Sequence, residues 1–332
     1  MEAKAGAVRT FSILLTCGAV LLGAPASAVT IDWVSVGDSG NACDTQSQGC
    51  FGAVAYDYQI SKYEVTNAQY TEFLNAVADT DTNALYTTLM DSSSFGGITR
   101  SGSSGSYSYS VKTGFADKPV NYVSFYDSLR FANWLENGQP TGAQGNATTE
   151  DGAYTITGAG ITANSITRNA GATIFLTSED EWYKAAYYDA LATSYFDYPA
   201  GSNAATACAA PTGAANSANC DAPGSNATDA DVDAPTIVGS FTGSPSPFGT
   251  FDQGGNVTEW NETIFSPSGR GLRAGSFGDT PTVLAASFRF SIGPASQFDN
   301  VGFRVASLPE PAAGLLVLTG MLALSNWRRR RA

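Results

Sequence analysis

Apolar positions recur at helical spacing in three windows of the chain. After Tyr63-Glu64-Val65, the residues Tyr70, Phe73, Leu74 and Val77 share one face. Thr66 precedes them and Gln69 follows three residues on, so a Thr-x-x-Gln capping box predicts where this helix starts. After Lys118-Pro119-Val120-Asn121-Tyr122-Val123, Ser124 and Asp127 form a second such pair, with Leu129, Ala132 and Leu135 as the inner stripe. Gly138 stands where a left-handed C-cap glycine is expected. A strand over residues 173–176 leads into the third helix, capped by Ser178 and Glu181, with Trp182, Ala185 and Ala186 facing inward. Short strand-like runs are predicted at 154–157, 237–241, 272–274 and 302–306. Residues 92–106, rich in Ser and Gly, and 201–233, rich in Ala, Asn and Asp, are expected to be long loops. Such loops need an external reason for their order, such as a disulfide, an ion or a function.

The two ends follow a different pattern. Lys4 and Arg9 precede an apolar run over 11–22, and Ala26-Ser27-Ala28 is a small-x-small cleavage sequence, together the layout of a secretory leader over residues 1–28. A buried core helix is the alternative. Leu14-Leu15-Thr16-Cys17 is a poor lipoprotein signal, because Leu15 stands where a small residue is needed. At the other end, Pro309-Glu310-Pro311 precedes an apolar run of about 16 residues over 312–327 and then Arg328 to Arg331. That length is marginal for a bilayer span, which wants roughly 20 residues. The basic cluster is expected to stay cytoplasmic. Residues 308–332 resemble the PEP-CTERM sorting signal of Gram-negative bacteria. The resemblance implies processing by an exosortase, transient contact with the membrane, and release to the cell surface or extracellular matrix. A plain C-terminal anchor is the alternative.

Composition narrows the chemistry. The 332 residues contain no histidine, which excludes a Ser-His-Asp triad, a Cys-His dyad and His-ligated zinc or non-haem iron. Hydrophobic residues make up 43%, enough for a packed core, while charged residues make up only 14%. The formal net charge of the whole chain is −13. Lys4, Arg9 and Arg328 to Arg331 lie outside residues 29–311, whereas Glu2 is the only acid outside them; 11 basic and 29 acidic residues remain, a net charge of −18. Nucleic acid is thereby excluded as a partner, since phosphate binding needs clustered Lys and Arg. Oxygen-rich acidic loops instead suit hard cations such as calcium. Cys43, Cys50, Cys208 and Cys220 remain once the leader is removed. An even number in an exported chain suggests two disulfides. Of the three connectivities, the local pairing Cys43 with Cys50 and Cys208 with Cys220 is expected.

The region between the ends contains no internal repeat or linker and is expected to form one domain over 29–307. Six segments appear there in a fixed order: Ile60-Ser61-Lys62-Tyr63-Glu64-Val65-Thr66-Asn67-Ala68-Gln69-Tyr70, Pro119-Val120-Asn121-Tyr122-Val123-Ser124, Leu176-Thr177-Ser178-Glu179-Asp180-Glu181-Trp182, Gly254-Gly255-Asn256-Val257-Thr258-Glu259-Trp260, Arg273-Ala274-Gly275-Ser276-Phe277 and Gly302-Phe303-Arg304-Val305. In order and spacing they resemble the formylglycine-generating enzyme / sulfatase-modifying factor family from about residue 55 to 306. The resemblance implies an α+β, modified C-type-lectin-like fold, rich in loops, with short helices and strands. It also implies structural calcium. Carried over position by position, Asp252 and Glu259 would offer side-chain oxygens, and Gly255 and Val257 backbone carbonyls. A second set would comprise Asn219, the Cys220 carbonyl and an aspartate drawn from Asp229, Asp231 or Asp233, with spacing favouring Asp231. Ordinary turn carboxylates and amides are the alternative for both sets.

The family's oxidases bind copper through two cysteines after the Gly-Ser motif, a soft thiolate site suited to copper(I). Here the first position falls on Asp279 and the second near Val283 or Leu284, and no cysteine follows Cys220. Copper is therefore not expected. The related iron-dependent sulfoxide synthases need histidine ligands, which are absent. Arg304 is expected to be a buried ion-pair partner, and Arg289 either that or part of the old cleft. Asp279, Leu284 and Arg289 thus mark a vestigial site.

These observations point to an exported, non-catalytic surface or matrix protein that binds a glycan, peptide or exopolysaccharide. Tyr107, Tyr109, Phe125 and Tyr126 are available for stacking or for the core. The alternatives are a formylglycine-type oxidoreductase acting on protein cysteine, opposed by both missing cysteines, and a carboxylate-based hydrolase, for which no second partner of Asp279 stands at useful spacing.

Overall fold

The structure, a computed structural model, describes residues 28–221 and 234–309. Three helices organise it, and each begins at a reciprocal capping box. α1 (Asn67–Val77) starts at Thr66 with Gln69, α2 (Phe125–Glu136) at Ser124 with Asp127, and α3 (Glu179–Tyr187) at Ser178 with Glu181. In each, the hydroxyl and the returning side chain satisfy backbone N–H groups that the first turn leaves free. α2 ends in a Schellman arrangement. The Gly138 N–H donates to the Leu135 carbonyl, and the Gln139 N–H to that of Trp134, with Gly138 at a φ of 79°.

α2 is buried along its whole length from Phe125 to Leu135, not only on the Leu129, Ala132 and Leu135 stripe. It is therefore a central helix. Phe131 stacks edge-on against Phe73 of α1 and against Phe303, with ring centroids 5.4 Å apart in both pairs. These rings form the middle of the main core.

Two four-stranded sheets flank the helices. The first is antiparallel, in the order Trp33–Val36, Tyr58–Ser61, Val305–Ser307, Ile174–Leu176. A strand from late in the chain therefore lies between two early ones, with Ala306 opposite both Ile60 and Phe175. The second sheet runs Phe290–Ile292, Gly269–Arg273, Thr258–Ser266, Val301–Gly302, and its last pairing is parallel. The architecture is α+β and rich in loops. Both local disulfides, Cys43–Cys50 and Cys208–Cys220, are formed.

Four expectations about local structure need correction. Residues 92–106 are not one loop: Ile98–Ser101 pairs with Ser108–Val111 in a hairpin. Inward Ile98 and Tyr109 hold it in place against a background of exposed serines. Residues 154–157 contribute only an isolated bridge, Tyr154 to Arg168, and 237–241 form turns. The run 302–306 divides, because the Phe303 ring enters the core and the Arg304 guanidinium bonds other backbone groups. Among the described residues, no helix is long and apolar enough to cross a membrane. The leader before residue 28 and the segment after residue 309 lie outside them.

Candidate functional site

The Gly-Asn loop before the Thr258–Ser266 strand forms the polar centre of the molecule. Asp252, Gly255 and Asn256 all have positive φ, so the chain doubles back in a tight turn. Gly255 is required there, since a Cβ would run into the Asn219 carbonyl oxygen. Asp252, Asn256 and Glu259 of this segment are buried. Glu259 and Arg304 form a fully buried pair, Nε to Oε2 at 2.6 Å and Nη2 to Oε1 at 2.7 Å. The Trp182 indole N–H donates to the same carboxylate at 2.7 Å. Arg304 also donates to the Ser61 and Phe251 carbonyls, joining α3, both sheets and the loop.

Beside that pair lies Glu64, 1% exposed, which accepts from the Asn256 amide at 3.0 Å. Burial, reinforced by the charges of Asp252 and Glu259, raises the Glu64 pKa well above the usual carboxylate range. Burial likewise pushes Asp252 up to about 6, while its bond from the Gly239 N–H, at 2.6 Å, pulls the other way. One arginine thus serves three buried carboxyls, and protonation relieves the excess charge.

In the first expected calcium set, both side-chain ligands have other partners. Arg304 and Trp182 occupy the Glu259 carboxylate, and Asp252 turns to Gly239. Among the described residues no three of His, Cys, Asp and Glu come together to hold a metal ion. The second set differs. Asn219 is 1% exposed and its amide N–H groups donate to the Ala234 carbonyl and to Asn256, yet its Oδ1 has no partner among the described residues. A buried carbonyl-type oxygen left open suits a hard cation, with the Cys220 carbonyl next in the chain. Asp231, with its alternatives Asp229 and Asp233, lies outside the described residues.

Of the positions where copper ligands would be expected by the resemblance, Leu284 is closed and Asp279 is half-buried. Leu284 is fully buried and packs with Ala218, Val283 and the Cys208–Cys220 bridge. Its methyl group Cδ1 would lie 2.9 Å from a Cβ on Gly275, so a glycine is needed for this fit. Asp279 accepts from the Ser276 N–H and hydroxyl at 2.9 and 2.6 Å, closing a local turn. Arg289 grips Glu179 at 2.8 and 2.6 Å. Arg273 shares that carboxylate, so Glu179 bridges two guanidinium groups. Arg289 is therefore an ion-pair partner of Glu179.

The stacking candidates fare similarly. Tyr109, Phe125 and Tyr126 are buried, and the tyrosine hydroxyls donate to the Ala78 and Ile161 carbonyls. Tyr107 is half-buried beneath the Arg100 guanidinium, 4.2 Å from its ring centroid.

Sequence reasoning missed Glu64 as a buried acid and also the Arg168 network. Arg168 binds Glu181 and Glu262 at once, with Tyr56 and Tyr154 donating to the two carboxylates. For Glu181 burial alone would raise the pKa, but the Arg168 pair outweighs it and lowers it. A charged residue flanked by apolar ones, as in Tyr63-Glu64-Val65, was the available signal for Glu64. A cleft of about 320 Å³, walled by Pro211, Pro235 and Ile237 and bearing Lys118, borders the Asn219–Asn256 pair, since its lining residues Ala234 and Thr236 bond to those two side chains. Burial lowers the Lys118 pKa.

Comparison with known proteins agrees with this architecture. Residues 35–308 match the sulfatase-modifying factor enzyme 1-like domain family. No curated protein sequence matches the chain. Among solved structures, CarF aligns with a TM-score of 0.53 at 19% identity, over 85% of this chain and 100% of its own. Treponema denticola variable protein 1 aligns at 0.49 and 18% identity, over 86% and 97%. PvdO from Pseudomonas aeruginosa aligns at 0.45 and 19% identity, over 84% and 92%.

Proposed function

We infer the function from one premise: the chain belongs to the sulfatase-modifying factor family. From it we propose an exported, non-catalytic binding protein of a Gram-negative cell surface or extracellular matrix. The leader and the PEP-CTERM-like tail would deliver it, the tail through an exosortase-type partner. One observation carries the non-catalytic part: Leu284, standing where a copper-binding cysteine would be needed, has no solvent exposure and rests on a disulfide. A soft metal would find no thiolate at Asp279 or Leu284, which supports the non-catalytic reading. Incubating the mature domain with copper, oxygen and a cysteine-bearing sulfatase-type peptide should give no oxygen uptake and no aldehyde. Turnover would instead establish the formylglycine-type oxidoreductase.

For binding, the Lys118 cleft is at the lower end of ligand-pocket volumes and offers apolar walls with one ammonium. It suits an acidic exopolysaccharide fragment, whose carboxylate would meet Lys118. On an array of acidic and neutral glycans, acidic members should bind, and Lys118→Gln should abolish the signal. Uniform silence would remove the glycan role. Calcium at Asn219 and the Cys220 carbonyl supports the same loop. Melting in calcium against EDTA should differ, and Asn219→Ala should erase the difference.

A further inference from the structure

The start of the described chain is held in an unusual way. The Val29 N–H donates to Gln139 Oε1 at 2.6 Å, and the Gln139 amide returns a bond to the Val29 carbonyl at 2.8 Å. One side chain thus grips both backbone groups of one residue, as a neighbouring strand would. Gln139 reaches it from the end of α2, where it has a φ of 59°, a conformation uncommon outside glycine. Its N–H is fixed to the Trp134 carbonyl, so the Schellman turn sets the position of the grip. The next residue is held too: Gln69 of the α1 capping box donates to the Thr30 carbonyl at 2.9 Å.

The change from exposed to buried falls on one bond. Val29 is 9% exposed and belongs to the core, whereas Ala28 is exposed. Ala28 also lines a cavity of about 190 Å³ together with Glu72 of α1, Trp134, Gly138 and Gln139. Ala28 is the last residue of the small-x-small sequence Ala26-Ser27-Ala28.

We propose that a leader peptidase cuts the Ala28–Val29 bond and that the new Val29 ammonium is retained by Gln139, with Glu72 as its counter-charge across the cavity. The step adds one water across the amide, leaving a carboxylate on Ala28 and an ammonium on Val29. The amide nitrogen had one N–H, which Gln139 satisfies. The ammonium has three donors and a positive charge. Departure of Ala28 opens the cavity from which Glu72 answers both. The fold is thus completed by processing, and the inference rests on the leader reading but not on the binding role.

The test begins with the full chain exported from a Gram-negative host. Its intact mass and N-terminal sequence should place Val29 first. Retention of Met1 would overturn the leader reading, and a first residue other than Val29 would overturn the site of the cut. Melting temperature is then followed from pH 6 to 10 for the mature chain and for one whose new terminus carries Gly-Ser before Val29. An ammonium stabilised by Glu72 has its pKa raised above the ordinary range of about 7.7–8.0, so its stabilisation is present below that range and lost as pH rises through the raised value. Glu72→Gln should lower the melting temperature at pH 7 by roughly 2 °C in the Val29-first chain and leave the extended chain unmoved. Equal shifts in both chains, or none in either, would overturn the docking while leaving the cut in place.

Discussion

Arg304 and Glu259 have no side-chain exposure at all, so neither charge can turn to water if the other is removed. Replacing Arg304 with methionine leaves Glu259 buried beside Glu64 and Asp252 with no cation. Breaking one side of such a pair costs about 3–5 kcal/mol. Chemical denaturation should register that loss, and Arg304→Met with Glu259→Met together should recover most of it. The same isolation makes a second test, at Leu284. Leu284→Cys restores a thiol at the expected position, but Leu284 is fully buried against the Cys208–Cys220 bridge. That thiol should ignore an aromatic disulfide reagent in the folded protein and react only after unfolding. Leu284 was a vestigial position in the sequence. Its closure could not be read there, because it depends on Ala218 and Cys220 arriving from a distant loop.

At the level of elements, the helix starts were legible because their signals are local. Thr66 and Gln69, Ser124 and Asp127, Ser178 and Glu181 satisfy one another within a single turn. The Ile98–Ser101 and Ser108–Val111 hairpin was not legible, since serines and glycines hid the two residues, Ile98 and Tyr109, that anchor it. The Ser124–Asp127 box also carries a pH dependence. Burial raises the Asp127 pKa to about 6 from its ordinary 3.8, although Ser124, Arg130 and Gln297 pull it back. A carboxyl raised in the folded state contributes fully below its unfolded pKa and loses that contribution as pH rises through the folded one. Stability should therefore fall between about pH 4 and pH 7. Asp127→Asn keeps an acceptor for the Ser124 N–H and removes the titration, so urea midpoints across that range should show a flatter slope.

Over the whole molecule, six short segments spread along the chain were enough to indicate the fold, because each falls at a junction of the final structure. Glu64, Asn256, Glu259 and Arg304 come from three of those segments and meet in one buried layer. Val305–Ser307 lies between Tyr58–Ser61 and Ile174–Leu176, and Leu308 adds a bond to the Thr173 carbonyl at 2.9 Å. A chain ending at Pro309 should keep the full cooperative melt by circular dichroism. One ending at Arg304 loses an interior strand and should show no native transition. This sheet order also governs timing. The first sheet cannot close until residue 307 has emerged, so during synthesis its early strands wait without their late partner. Its closure is a late step that depends on contacts far apart in sequence, the kind that slow folding.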